Sequence, residues 1–156
     1  MLRLCRSVVI MGKHRGSISD YIEERNHALL AAWRKAMSTA DNISWLDVVK
    51  KAVEMPAPRF WCSEEQAMCV VRKLLKGQDP NVKSVARREM FEEIHRRVVA
   101  LRTQNPSLTI TDAVFKVVHS PAPQFYLSVK SAYVIIQSAK KKCYEERRRR
   151  LRHSLW

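Results

Sequence analysis

The chain is predicted to be all-α: two tandem three-helix repeats packed into one compact helical body, with a basic C-terminal helix or tail. Three observations predict this. The string Pro56-Ala57-Pro58-Arg59-Phe60-Trp61-Cys62-Ser63 returns 65 residues later as Pro121-Ala122-Pro123-Gln124-Phe125-Tyr126-Leu127-Ser128. Only 3 glycines occur in 156 residues, which argues against a β-rich or loop-rich chain. Apolar residues recur at the 3.6-residue spacing that gathers them on one face of a helix.

The repeat keeps one register well beyond the prolines. Glu24 matches Glu89, Asp47 matches Asp112, Val49 matches Val114, Lys51 matches Lys116, Val53 matches Val118 and Ala67 matches Ala132. A sustained internal repeat decides the organisation of a chain before its elements are assigned. The units run over 19–78 and 84–142, with a flexible basic N-terminal arm at 1–18 and a basic C-terminal extension at 143–156. A unit of about 60 residues is marginal alone because small domains bury a smaller share of their surface, so the two are expected to share one interior.

In the first helix Ile22, Asn26, Leu29, Leu30, Trp33 and Met37 fall on one face, as do Phe91, Ile94, Val98 and Leu101 in its copy. The second helix carries Trp45, Val48, Val49, Ala52 and Val53, and its copy Ile110, Ala113, Val114, Val117 and Val118, at i, i+3, i+4, i+7 and i+8. Ser44 and Thr109 stand where a hydroxyl would cap the helix, with Asp47 and Asp112 against the positive end of its dipole. Proline lacks an amide hydrogen and pushes its predecessor out of the helical region, so Met55 and Ser120 mark the ends of these helices. Phe60 and Phe125 then anchor the extended links inward.

The third helix opens at Ser63 and Ser128. Ser63-Glu64-Glu65-Gln66 reads as a capping box, whereas Ser128-Val129-Lys130-Ser131 keeps only the cap. Ala67, Val70, Val71, Leu74 and Leu75 form the buried stripe of the first copy, and Ala132, Ile135, Ile136 and Ala139 that of the second. Gly77 is a C-terminal stop. No such stop follows the second copy, which is expected to run on through Lys140-Lys141-Lys142 towards Arg150.

These strings also carry a resemblance. Met55-Pro56-Ala57-Pro58-Arg59-Phe60-Trp61-Cys62-Ser63-Glu64-Glu65, then Arg88-Glu89-Met90-Phe91-Glu92-Glu93-Ile94 and Val114-Phe115-Lys116-Val117-Val118, resemble a family of short uncharacterised proteins from gut Bacteroidetes and their mobile elements with a duplicated Pro-Ala-Pro-x-Phe motif. The resemblance covers most of 19–142. It implies provenance and doubled architecture, and no activity or site residue.

Composition excludes several function classes. No apolar run approaches the roughly 20 residues of a membrane span, so no membrane partner is expected. Arg3 and Arg6 precede a short apolar run, Ser7-Val8-Val9-Ile10-Met11, without a cleavage site, and Met11 is an alternative start. Cys5, Cys62, Cys69 and Cys143 form no C-x-x-C pair and read as buried thiols on helices in a reducing, cytoplasmic protein. His14, His27, His95, His119 and His153 are scattered without metal-ligand spacing, adjacent Glu92 and Glu93 point apart on a helix, and no glycine-rich phosphate loop occurs. The chain is therefore expected to be no enzyme, with no catalytic residue, metal, cofactor or small-molecule substrate.

What remains is charge. The net charge is +14, residues 20–80 are balanced, and 129–156 carry 9 Lys/Arg against 2 acids. Such a concentrated basic segment attracts polyanions. The expected function is a non-enzymatic nucleic-acid-binding accessory protein with little base specificity, DNA ahead of RNA. Lys130, Lys140, Lys141, Lys142, Arg147, Arg148, Arg149, Arg150 and Arg152 are its candidate phosphate contacts, with Tyr133, Tyr144 and Trp156 as lesser candidates for base stacking. A helix-turn-helix reader is disfavoured because about nine residues, 55–63, replace the turn of three to four that joins its helices. The alternative is a protein–protein adaptor or scaffold in which Arg59, Trp61, Gln124 and Tyr126 vary on the constant frame of the Pro-Ala-Pro segments.

Overall fold

A computed structural model describes residues 18–41 and 44–153, which form six helices: α1 (Ile18–Ser38), α2 (Trp45–Glu54), α3 (Glu64–Leu75), α4 (Val85–Gln104), α5 (Ile110–Val118) and α6 (Val129–His153). The described residues contain no strand. The all-α class stands, and each half of the chain contributes three helices. The N-terminal arm lies outside the described residues, apart from Ile18.

The short helices follow their apolar spacing closely. Val48, Val49, Ala52 and Val53 of α2, and Ala113, Val114, Val117 and Val118 of α5, are all buried. Thr109 caps α5, its Oγ1 accepting from the Asp112 N–H at 3.1 Å, whereas the Ser44 side chain makes no capping bond. The Ser63 hydroxyl accepts from the Gln66 N–H at 3.2 Å and that of Ser128 from the Ser131 N–H at 3.2 Å. Gln66 does not complete the expected box. Its Oε1 accepts from Arg87 Nη2 of α4 at 2.7 Å instead.

Gly77 ends α3 with φ +68°, its N–H donating to Leu74 and that of Gln78 to Lys73, at 3.0 and 2.9 Å. These are the paired bonds of a Schellman stop, which glycine suits because it adopts positive φ without steric cost. No glycine or proline interrupts α6, which continues for 25 residues where α3 has 12.

The two proline links meet. Ala57 and Ala122 each donate to the other's carbonyl at 2.9 Å, the Phe60 N–H donates to Val118 at 3.0 Å, and the Phe125 N–H to Val53 at 2.9 Å. A shift of 65 residues turns each bond into its mate, so the links are related by a local two-fold axis. Their rings obey it too: Phe60 stacks on Tyr126 and Trp61 on Phe125, with centroids 6.1 and 6.5 Å apart. Phe60 and Phe125 are buried, as anchors of these segments should be.

The links determine how the core is divided. α1 packs on α2 and α4 on α5, but α3 packs on α4 and α5 while α6 packs on α1 and α2. Neither third helix touches the two helices that precede it. The units 19–78 and 84–142 are therefore interlocked, each third helix completing the bundle of the other half. Proline-stiffened links of nine and ten residues carry the chain across the axis, where a short turn would have folded it back.

The periodicity misjudged a few faces. Met37 is 46% exposed, and Ala32, Ala36 and Met90 join Leu29, Leu30, Phe91, Ile94 and Val98 in the core. Leu75 is also exposed, since it lies at the last turn of α3, past the helices that cover Ala67, Val70 and Val71.

Candidate nucleic-acid interface

All nine candidate phosphate contacts lie on α6, yet they do not form one patch. Lys130 is exposed in its first turn, about 26 Å along the axis from Arg147 at 1.5 Å per residue. The middle of the helix runs against α1 in the opposite direction, and there the cations serve the fold. Lys142 Nζ meets Glu23 Oε1 at 3.0 Å; this hydrogen bond holds the Glu23 carboxyl below its usual value and raises the Lys142 ammonium.

Lys140 is engaged differently. Its ammonium lies 4.7 Å from the Trp33 ring centre and 5.4 Å from that of Trp45. The two indoles meet edge-to-face at 5.0 Å, and Tyr133 adds a third ring 5.8 Å from Trp45. A cation against aromatic faces is attracted by their quadrupoles. Lys140 thus pins α6 to α1 and α2, and Tyr133 belongs to the same cluster rather than to a base-stacking platform.

Cys143 is the last α6 residue packed against the core. Beyond it Arg147, Arg148, Arg149, Arg150 and Arg152 are all exposed. Successive residues turn by about 100° around a helix axis, so these five side chains point in every direction. Arg148 lies over the exposed Tyr144 ring at 6.0 Å. Among the described residues no ion pair joins Glu145 or Glu146 to these arginines. Lys141 is exposed as well, and Trp156 lies outside the described residues.

The alternative surface does not assemble as expected. Trp61 and Tyr126 are only 7% and 8% exposed, because their rings pack against Phe125 and Phe60 at the local axis. Both are therefore largely buried, and only an edge of Trp61 reaches the groove beside the links. Arg59 and Gln124 are half-buried, and Arg59 Nε donates to the Phe60 carbonyl at 3.4 Å. Tyr126 has φ +53°, a strained backbone for an aromatic residue, held by the packing of its ring.

Two features beside the links were missed from sequence. Glu23, Glu24, His27, Pro58, Arg59, Trp61 and His119 line an open groove of mixed charge. At its edge His119 Nε2 lies 2.7 Å from Glu64 Oε1, joining the end of α5 to the start of α3. No local signal pairs residues 55 apart; only the exchange of third helices brings them together. Among the described residues no cluster of three His, Cys, Asp or Glu side chains could hold a metal ion.

The cysteines also depart from expectation. Cys62 is buried, in the link rather than in a helix, and burial pushes its thiol up to about 12. Cys69 is exposed on α3, Cys143 is half-buried, and Cys5 lies outside the described residues.

No helix among the described residues is long and apolar enough to cross a membrane. No family model, no curated protein and no solved structure matches the chain.

Proposed function

We propose that the chain is a non-enzymatic, cytoplasmic nucleic-acid-binding accessory protein that grips phosphates through the end of α6 and reads little base sequence. The observation that supports it is the set of exposed arginines 147, 148, 149, 150 and 152 on the last turns of that helix. Each guanidinium that neutralises a phosphate releases condensed counterions, which favours binding irrespective of sequence. Lys141 joins this set, whereas Lys140 and Lys142, though exposed, also contact Trp33, Trp45 and Glu23 of the body. The adaptor reading is left with Arg59 and Gln124, both half-buried, and is the weaker of the two.

A mobility-shift titration across salt tests the proposal. Affinity should fall with salt with a log–log slope of about −2.7 to −4.5, as expected for about three to five neutralised phosphates. A chain ending after Glu146 should lose most of it. That cut spares Cys143 and the Lys142–Glu23 pair, both of which a chain ending at Lys140 would lose. Salt-insensitive binding, or undiminished binding by the shortened chain, would refute the proposal.

A further inference from the structure

We infer that the end of α6 seats in the major groove of B-form duplex DNA, an inference that rests on the nucleic-acid reading above and specifies its ligand. The first reason is the distribution of charge. Taking Arg147 as the origin and turning about 100° per residue, Arg150 lies on one side of the axis and Arg148, Arg149 and Arg152 spread over the other. A flat anionic surface, or one extended phosphate chain, engages one side of such a rod and leaves the rest solvated. A groove walled by two rows of phosphates engages both.

Dimensions give the second reason. The segment from Cys143, the last residue packed on the core, to His153 is about 15 Å long at 1.5 Å per residue. A helix with its side chains is about 10–12 Å across, and the major groove of B-DNA is about 12 Å wide and 8.5 Å deep. The major groove of A-form RNA is too deep and narrow for side chains to read, so duplex DNA is the ligand that fits.

The third reason is that the local two-fold axis is broken here alone among the third helices. Gly77 stops α3 after Leu75, so the molecule carries one basic rod and not two. One rod occupies one stretch of groove. It needs no palindromic site, in keeping with binding of low sequence preference.

Two measurements on the full chain test this. In the first, affinities for a short DNA duplex, the same sequence as duplex RNA, the single strand, and phosphatidylserine vesicles are compared at one salt concentration, with dimethyl sulfate protection of guanine N7 on the DNA. The DNA duplex should bind about tenfold or more tighter than the RNA duplex, with N7 shielded in the major groove. In the second, Arg147→Gln/Arg150→Gln is compared with Arg148→Gln/Arg152→Gln, both surface pairs whose folding is checked by circular dichroism. Each pair should weaken DNA binding by a similar factor, about three- to tenfold.

Equal affinity for all polyanions, unprotected N7, or one pair silent while the other abolishes binding would overturn the groove and leave phosphate binding standing. Preference for the vesicles would identify a membrane surface as the ligand and overturn both readings. So would the absence of salt-dependent binding to every probe.

Discussion

The guanidinium of Arg97 lies 5.1 Å from the centre of the Phe60 ring, and its Nη1 donates to the Pro121 carbonyl at 2.7 Å. One α4 side chain thereby touches both proline links. Truncating it leaves a carbonyl without its charged donor and a ring without its cover, so Arg97→Ala should lower the unfolding free energy by about 1.5–3 kcal/mol in urea titrations. Arg97→Lys should recover less than half, because an ammonium lacks the planar fork that spans these partners. An unchanged urea midpoint in Arg97→Ala would contradict this role.

Glu93 links the same arginine to pH. Its Oε1 accepts from Arg96 Nη2 and Arg97 Nε, both at 2.7 Å. The Arg96 hydrogen bond, followed by that of Arg97, holds the carboxyl below its ordinary value of 4.5 against the opposing effect of partial burial. A depressed folded-state value contributes stability above the unfolded-state pKa that is lost as pH falls through the folded one. Stability should therefore decline below pH 4.5. Glu93→Gln should flatten that acid limb in urea unfolding at stepped pH; parallel limbs would exclude the linkage.

The exchanged third helices make the halves inseparable without the connecting chain. A protease site placed in the exposed turn after Gly77 should be cut without dissociation, the two fragments co-migrating in native gel filtration and separating in denaturant. Release of single halves under native conditions would show that each closes its own bundle.

Phe60 and Phe125 make matching backbone bonds and ring contacts at the local axis, although Phe60 also lies under the Arg97 guanidinium, where the matching position in the other half is Ala32. Truncation of either to Ala should cost about 3–5 kcal/mol, and the two losses should agree within about 1 kcal/mol. Chemical denaturation of both variants checks it. A large disparity would mean that the axis relates backbones but not packing.

Lys140 and Arg149 separate folding from binding. Lys140→Ala should lower stability by about 0.5–1 kcal/mol through the loss of its aromatic contacts and leave DNA affinity nearly unaltered. Arg149→Ala should do the reverse. Paired melting and binding curves would expose any other pattern.

Much of the local structure was legible in the residues. The stripes of α2 and α5, the hydroxyl caps at Ser63, Thr109 and Ser128, the stop at Gly77 and the anchors Phe60 and Phe125 all depend on neighbours within one or two turns. Errors arose where a distant element intervened. Gln66 left its cap for Arg87 because α4 lies beside α3. The alternative that gave Trp61 and Tyr126 a surface role rested on their variation between repeats, yet each has a ring of the other link to cover it.

Helix positions, the doubled plan, the extended links and the basic end of α6 follow from the order of amino acids, since periodicity, capping and proline act locally. Folding in three dimensions assigned each third helix to the opposite half and set the exposed Lys140 and Lys142 against Trp33, Trp45 and Glu23 while the arginines beyond Cys143 extend past the core. The reason is physical. An amphipathic stripe requires burial without specifying what buries it, and the stripes of the two halves are nearly alike, so the reach of the nine- and ten-residue proline links, crossing at Ala57 and Ala122, made the choice.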